Sequence, residues 1–221
     1  FRCNYFDNLR GIFMTRISSR IAKVAPAWIY YPYVNLRCFL SGKAHKISRI
    51  ESDEDIHLVT TSEGEKLYIC RRGRHNRYKH GISKLVNSLA QQYSLDKLDH
   101  LTNGTFIDCG ANVGELGIWA TNHQHTYIPF EPEDLESKCC NLNNFSGQEK
   151  TFKTPLWNMN GKLKLFHRAE TADSSLIENG DDQNYTEIEV VTLDTALENM
   201  TLKGPIIFKV EAEGAEPEVL S

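Results

Sequence analysis

Apolar and polar residues alternate with two different rhythms along this chain, and the rhythm changes near residue 100. From Asn8 to Val24 the apolar positions Leu9, Ile12, Phe13, Ile17, Ile21 and Val24 return at helical spacing, with Arg10, Arg16, Arg20 and Lys23 between them. This predicts a basic amphipathic helix. Residues 25–34 are rich in aromatics and interrupted by Pro26 and Pro32. Asp55–Thr60 and Lys66–Cys70 alternate about the Glu63-Gly64 turn, the signature of a β-hairpin. Ile82–Leu98 returns to helical spacing, with Leu85, Leu89 and Leu95 on one side.

Beyond residue 100, short apolar runs alternate with helical stretches. Phe106-Ile107 leads into Asp108 and a glycine-bracketed turn, followed by a helix over Glu115–Asn122 and a second strand over Tyr127–Phe130. A helix over Glu133–Asn143 and a third parallel strand over Thr151–Leu156 continue the pattern. Lys162–His167 and Thr186–Val191 alternate as two further strands joined by the polar loop Glu170–Gln183. The apolar run Ile206–Val210 forms a last strand, and Pro217 suits the opening turn of a final helix. Strand–helix alternation of this kind predicts an α/β fold with a mostly parallel, doubly wound sheet.

Charge sharpens the division. Residues 1–100 carry a net charge of +8 and residues 101–221 one of −12, against −4 for the whole chain. We therefore expect an N-terminal basic extension (1–100: helix, β-hairpin, helix) and a second domain over 101–221. The run Arg71–His80 packs five cations and two histidines around Tyr78 and is a candidate acceptor-binding loop. It points to no clear nucleic-acid partner, since a solvated basic loop reads the same way. The basic helix and the aromatic stretch after it suit contact with an anionic membrane surface, but packing against the protein itself is the preferred reading. Neither is long and unbroken enough to span a bilayer. Six cysteines show no C-x-x-C, and no Cys/His group has zinc spacing, so no metal site is expected and a reduced, cytoplasmic setting is the simplest reading.

The chemistry concentrates in Asp108-Cys109-Gly110-Ala111-Asn112-Val113-Gly114. Glycines let backbone approach a ligand, and the following helix start favours an anionic group. Glu131, at the end of the second strand, stands where an acid commonly holds ribose hydroxyls. The turn lacks the middle glycine of G-x-G-x-x-G, and Asp108 would repel a pyrophosphate but could hold an ammonium group. S-adenosylmethionine offers an ammonium, a carboxylate and a ribose diol, matching Asp108, the helix amides and Glu131.

These segments, with Phe130-Glu131-Pro132 and Phe208-Lys209-Val210-Glu211-Ala212-Glu213-Gly214-Ala215-Glu216, resemble the FkbM family of S-adenosylmethionine-dependent methyltransferases. Weaker echoes are Asn160-Gly161, Ser174-Ser175-Leu176 and Val191-Thr192-Leu193-Asp194. The resemblance implies a Rossmann-like methyltransferase sheet and O-methylation of hydroxyls on sugars, glycans or secondary metabolites. Glu211 stands where the family more often has Asp, and Cys109 where it has a small apolar residue. Such a sheet continues beyond a helix like the one at Pro217, so the chain is expected to be C-terminally truncated.

For cofactor binding the candidates are Asp108, Gly110, Asn112, Gly114 and Glu131, with Trp157 as a stacking partner for adenine by analogy with the end of a third strand. For catalysis they are Glu211 and Glu213, as base or as orienter of an acceptor hydroxyl, with Lys209 on the same side and His167 a distant second. Two other readings stay open: an NAD-dependent oxidoreductase or epimerase, and a non-catalytic binding module on a methyltransferase fold. Acceptor identity and oligomeric state are not legible.

Overall fold

The computed structural model describes residues 25–166, 185–212 and 214–221. The helix expected over Asn8–Val24 and the whole of the polar loop Glu170–Gln183 lie outside the described residues. The chain divides into two compact units, with the division between Leu85 and Val86.

In the first unit, helix α1 (Ala27–Leu40) follows Pro26 and contains Pro32. Its residues Tyr30, Val34 and Cys38 recur every fourth position and are buried, while Trp28, Leu36, Phe39 and Leu40 stay exposed. Strands β1 (His45–Ile50), β2 (Asp53–Thr61) and β3 (Lys66–Ile69) form an antiparallel meander in the order β1-β2-β3. The register aligns Ile47 with Val59 and Val59 with Leu67, giving an apolar row across the sheet. The expected hairpin is thus the β2–β3 pair, and β1 is an added strand.

The basic run is ordered: Arg72–Tyr78 winds as a 3-10 helix with His75 and Tyr78 buried. Helix α2 (Ile82–Gln92) starts on Glu65, whose carboxylate accepts the backbone N–H groups of Ile82 and Ser83 at 2.9 and 2.8 Å. It ends earlier than its apolar spacing predicts. Ser94 takes a left-handed conformation (φ 59°) and a separate 3-10 turn covers Leu95–Leu98.

The second unit is built on a parallel sheet. Strand β4 (Thr105–Cys109) lies between β5 (Thr126–Phe130) and β8 (Ile206–Val210). Every residue of β4 is buried, Asp108 included. One face carries Phe106 against Trp119 of helix α3 (Glu115–Asn122), with ring centroids 5.4 Å apart, and against Tyr127 at 5.9 Å. The other face carries Ile107 and Cys109, packed with Ile128, Phe130, Leu156 and Val219. Helix α4 (Asp134–Phe145) follows β5, and β6 (Gly161–Phe166) pairs antiparallel with β7 (Tyr185–Val190). Two short helices, α5 (Leu193–Leu197) and α6 (Glu216–Val219), flank β8 in sequence.

One expected strand is reduced. Thr151–Leu156 makes only two single parallel bridges, Phe130 to Phe152 and Leu156 to Val191. The fold is α/β with a parallel three-stranded sheet, compatible with a Rossmann-like methyltransferase architecture.

Candidate active site at the strand tips

The glycine turn leaves β4 and is tied at once to the tip of β5. Both Gly110 and Ala111 donate their N–H groups to the Phe130 carbonyl at 3.0 Å. Three residues of the turn take left-handed backbone: Gly110 (φ 76°), Asn112 (φ 51°) and Gly114 (φ 81°). The two glycines are required by the protein itself. A Cβ on Gly110 would overlap the Glu211 carbonyl oxygen, and one on Gly114 would overlap the side chains of Asn144 and Cys140 on α4. Asn144 and Asn143 close that contact by donating to the carbonyls of Gly114 and Val113 at 3.0 and 2.7 Å.

Glu131 completes the latch. One carboxylate oxygen accepts the N–H of Asn112 at 2.8 Å and the other that of Glu133 at 3.0 Å. Its side chain is buried, and burial pushes its pKa up to about 7 against the pull of those two amides, with Glu136 and Glu133 adding repulsion. Each oxygen keeps a lone pair, so the carboxylate can still take a hydroxyl.

Asp108 behaves differently from the sequence expectation. The parallel register sets Lys209 of β8 directly beside it. The Lys209 ammonium lies 3.0 Å from one Asp108 oxygen, and the other accepts the Tyr127 hydroxyl at 2.8 Å. Both ionic side chains are almost wholly inaccessible, at 4% and 1% exposure. Asp108 is therefore already paired with an ammonium of the protein itself.

Lys209 also donates to the carbonyls of Cys109 and Gly110, at 3.1 and 2.8 Å. Burial works against its charge, yet the Asp108 and Glu211 carboxylates outweigh that and raise its pKa above the ordinary lysine value. Tyr127 is pushed well above the ordinary tyrosine range by burial and by Asp108.

The polar chain reaches solvent at Glu211. Its N–H bonds to the Cys109 carbonyl at 3.0 Å, which places it against Gly110 just beyond the end of β8. Its carboxylate is 3.5 Å from the Lys209 ammonium, accepts the Tyr93 hydroxyl and is half exposed. Lys209 in turn lies 5.2 Å from the centre of the Tyr93 ring. The tips thus gather Asp108, Gly110, Asn112, Glu131 and Glu211, while Gly114 serves the packing of α4. Trp157 is half buried just after the Leu156–Val191 bridge, its N–H bonded to the Val191 carbonyl at 2.8 Å. Glu213 lies outside the described residues, as does His167.

Open parallel sheets bind ligands beyond the carboxyl ends of their strands. A family model described as the methyltransferase FkbM domain matches residues 108–221, just over half of the chain and the whole of this polar constellation except Tyr93. The chain belongs to the FkbM methyltransferase family. Its match begins at Asp108 and so takes in the glycine turn, Glu131 and the Lys209–Glu211 segment. Searches of curated proteins and of solved structures returned no match.

Two members of this polar cluster were missed by sequence reasoning. Tyr93 lies 118 residues before Glu211 and carries no motif of its own. Tyr127 reads as an ordinary strand aromatic. Lys209, a cation inside an otherwise apolar strand, is a sequence signal for the network beside Asp108 and Glu211.

Proposed function

We propose that this chain is an S-adenosylmethionine-dependent O-methyltransferase acting on a hydroxyl of a sugar, glycan or secondary metabolite. The observation that carries the reading is the contrast among three carboxylates at adjacent strand tips. Asp108 is buried in an ion pair, Glu131 is buried with lone pairs to spare, and Glu211 is half exposed. In this reading Glu131 takes the ribose hydroxyls and Trp157 offers its ring to the adenine. Gly110 and Asn112 supply backbone at the turn. Asp108 contributes by fixing Lys209 rather than by touching the donor.

When bound, the sulfonium cofactor supplies an electrophilic methyl group. The chain's own task is to hold the acceptor hydroxyl in line and remove its proton. Glu211 is suited to this: its carboxylate is open to solvent, yet aimed by the Tyr93 hydroxyl on one oxygen and by the Lys209 ammonium. Glu213 is a second carboxylate on the same segment for the same role.

Transfer of a labelled methyl group to hydroxyl-bearing glycans and metabolites tests this. Replacing Glu211 by Gln should lower kcat about 100-fold or more while leaving donor binding within about twofold. If E211Q and the corresponding change at Glu213 both transfer methyl groups at the wild-type rate, neither is the base.

A further inference from the structure

The first unit contains a cluster that no linear spacing reveals. Cys38 in the last turn of α1, His45 at the start of β1 and His75 in the 3-10 turn Arg72–Tyr78 converge with their heteroatoms within 4.8 Å of one another. All three side chains are buried. The Cys38 sulfur lies 3.9 Å from His45 Nε2, and that nitrogen lies 2.9 Å from His75 Nδ1. We propose that Cys38, His45 and His75 form a binding site for a single thiophilic d10 metal ion, copper(I) or zinc(II).

Two of the three donor separations are close to those around a bound ion. Metal–nitrogen bonds of about 2.0–2.1 Å and metal–sulfur bonds of about 2.3 Å put tetrahedral N···N pairs about 3.3 Å apart and S···N pairs about 3.6 Å apart. The His45–His75 pair must widen by about 0.4 Å and the Cys38–His45 pair close by about 0.3 Å, while the Cys38–His75 pair, within 4.8 Å, must close by up to about 1.2 Å, a shift within reach of side-chain rotation.

Protonation also suits a metal. Burial, with Lys43 nearby, lowers the His45 pKa to about 4. Burial, together with His45, Lys43 and Arg37, does the same for His75. Neither imidazole holds a competing proton at neutral pH, as ligation requires. His45 faces the other two donors through Nε2, so ligation there leaves its buried Nδ1 to carry the ring proton. His75 Nε2 lies 3.4 Å from the Asn76 amide nitrogen, while Lys43 holds the Asn76 oxygen at 2.7 Å. Ligation through Nδ1 protonates Nε2, so the Asn76 amide must turn to offer its oxygen.

Charge selects between the two ions. Burial raises the Cys38 thiol above the ordinary cysteine value, so the ion must displace its proton, giving a metal–thiolate bond and one H⁺ per ion bound. One thiolate with two neutral imidazoles leaves copper(I) electrically neutral and zinc(II) at +1. Lys43 and Arg37 act on this cluster as cations, and the three donors include no carboxylate to offset a remaining charge. Uncompensated buried charge is costly, so copper(I) is the favoured occupant.

The test uses the full chain, reduced and anaerobic. Copper(I) buffered by bathocuproine disulfonate and zinc(II) buffered by a chromophoric chelator are titrated separately, with metal content read by mass spectrometry after dialysis. The proposal expects one ion per chain and about one proton released per ion. It also expects a rise in Tm, with added exchange protection over residues 38–80. Cys38→Ser and His75→Gln should each weaken binding at least about 10-fold, while Cys70→Ser leaves it unchanged. Failure of both ions to bind the wild-type chain overturns the proposal without relying on any variant. Retention of wild-type affinity by folded C38S and H75Q overturns it as well.

Discussion

In the first unit three buried histidines are held neutral. His45, His57 and His75 all have pKa values lowered to about 4, chiefly by burial. In the second unit the buried cation Lys209 stays charged because the Asp108 carboxylate sits 3.0 Å away and two backbone carbonyls complete its shell. The difference shows two ways to keep polar groups inside a fold: give up the charge, or pair it. Each way leaves its own weakness. Neutral histidines are vulnerable to acid, and a paired ion is vulnerable to losing its partner.

The largest expected effect breaks the paired style. Lys209→Met strands the Asp108 carboxylate in the interior and should destabilise the protein by about 3–5 kcal/mol in urea unfolding. The double variant Asp108→Leu/Lys209→Met should recover most of that loss, because neither charge is then left alone. A cost under about 1 kcal/mol for K209M would mean that the pair does not hold the strand tips together.

Gly110→Ala comes next, since its new Cβ would overlap the Glu211 carbonyl oxygen at a backbone φ of 76°. It should cost about 1–3 kcal/mol and displace Glu211, lowering methyl transfer as well as stability.

Acid sharpens the contrast between the units. The histidines' folded pKa values lie below the ordinary 6.5, so their contribution is complete above pH 6.5 and is lost as pH falls through about 4. Glu131 has the opposite sign. Its folded pKa of about 7 exceeds the ordinary 4.5, so its contribution is complete below pH 4.5 and is lost as pH rises through 7. Lys209, raised above the ordinary 10.5, loses its contribution only as pH climbs beyond that value. Hydrogen exchange at pH 7 and pH 4.5 should therefore show the first unit loosening before the second. Equal loosening in both would contradict the assignment of neutral histidines. The smallest expected effect is that of Tyr93→Phe, which removes one half-exposed hydrogen bond to Glu211 and should change stability by about 1 kcal/mol or less.

Much of the second unit was legible because its central strand is buried on both faces and its neighbours are short and largely apolar. Phe106–Cys109, Tyr127–Phe130 and Ile206–Val210 read as short apolar runs, and the helix over Glu115–Asn122 has the bounds that its spacing predicts. Strand β1 was not legible, since His-Lys-Ile-Ser-Arg-Ile offers few apolar positions to alternate. Thr151–Leu156 misled through its composition, making isolated bridges to Phe130 and Val191 in place of a ladder. At the site, Glu131 and Glu211 were legible from their places after strands. The direction of Asp108 was not, because only the β4–β8 register puts Lys209 beside it. No local pattern could bring Tyr93 to Glu211, or His75 to Cys38 and His45, since the folded chain alone makes those neighbours.

The central claim is that the β4 and β5 tips bind the methyl donor's nucleoside through Glu131. Isothermal titration of the intact chain with S-adenosylhomocysteine tests it most directly. The account predicts saturable 1:1 binding that Glu131→Ala weakens by about tenfold or more in a protein that stays folded. Absence of binding to the wild-type chain, or equal affinity in E131A, would contradict it.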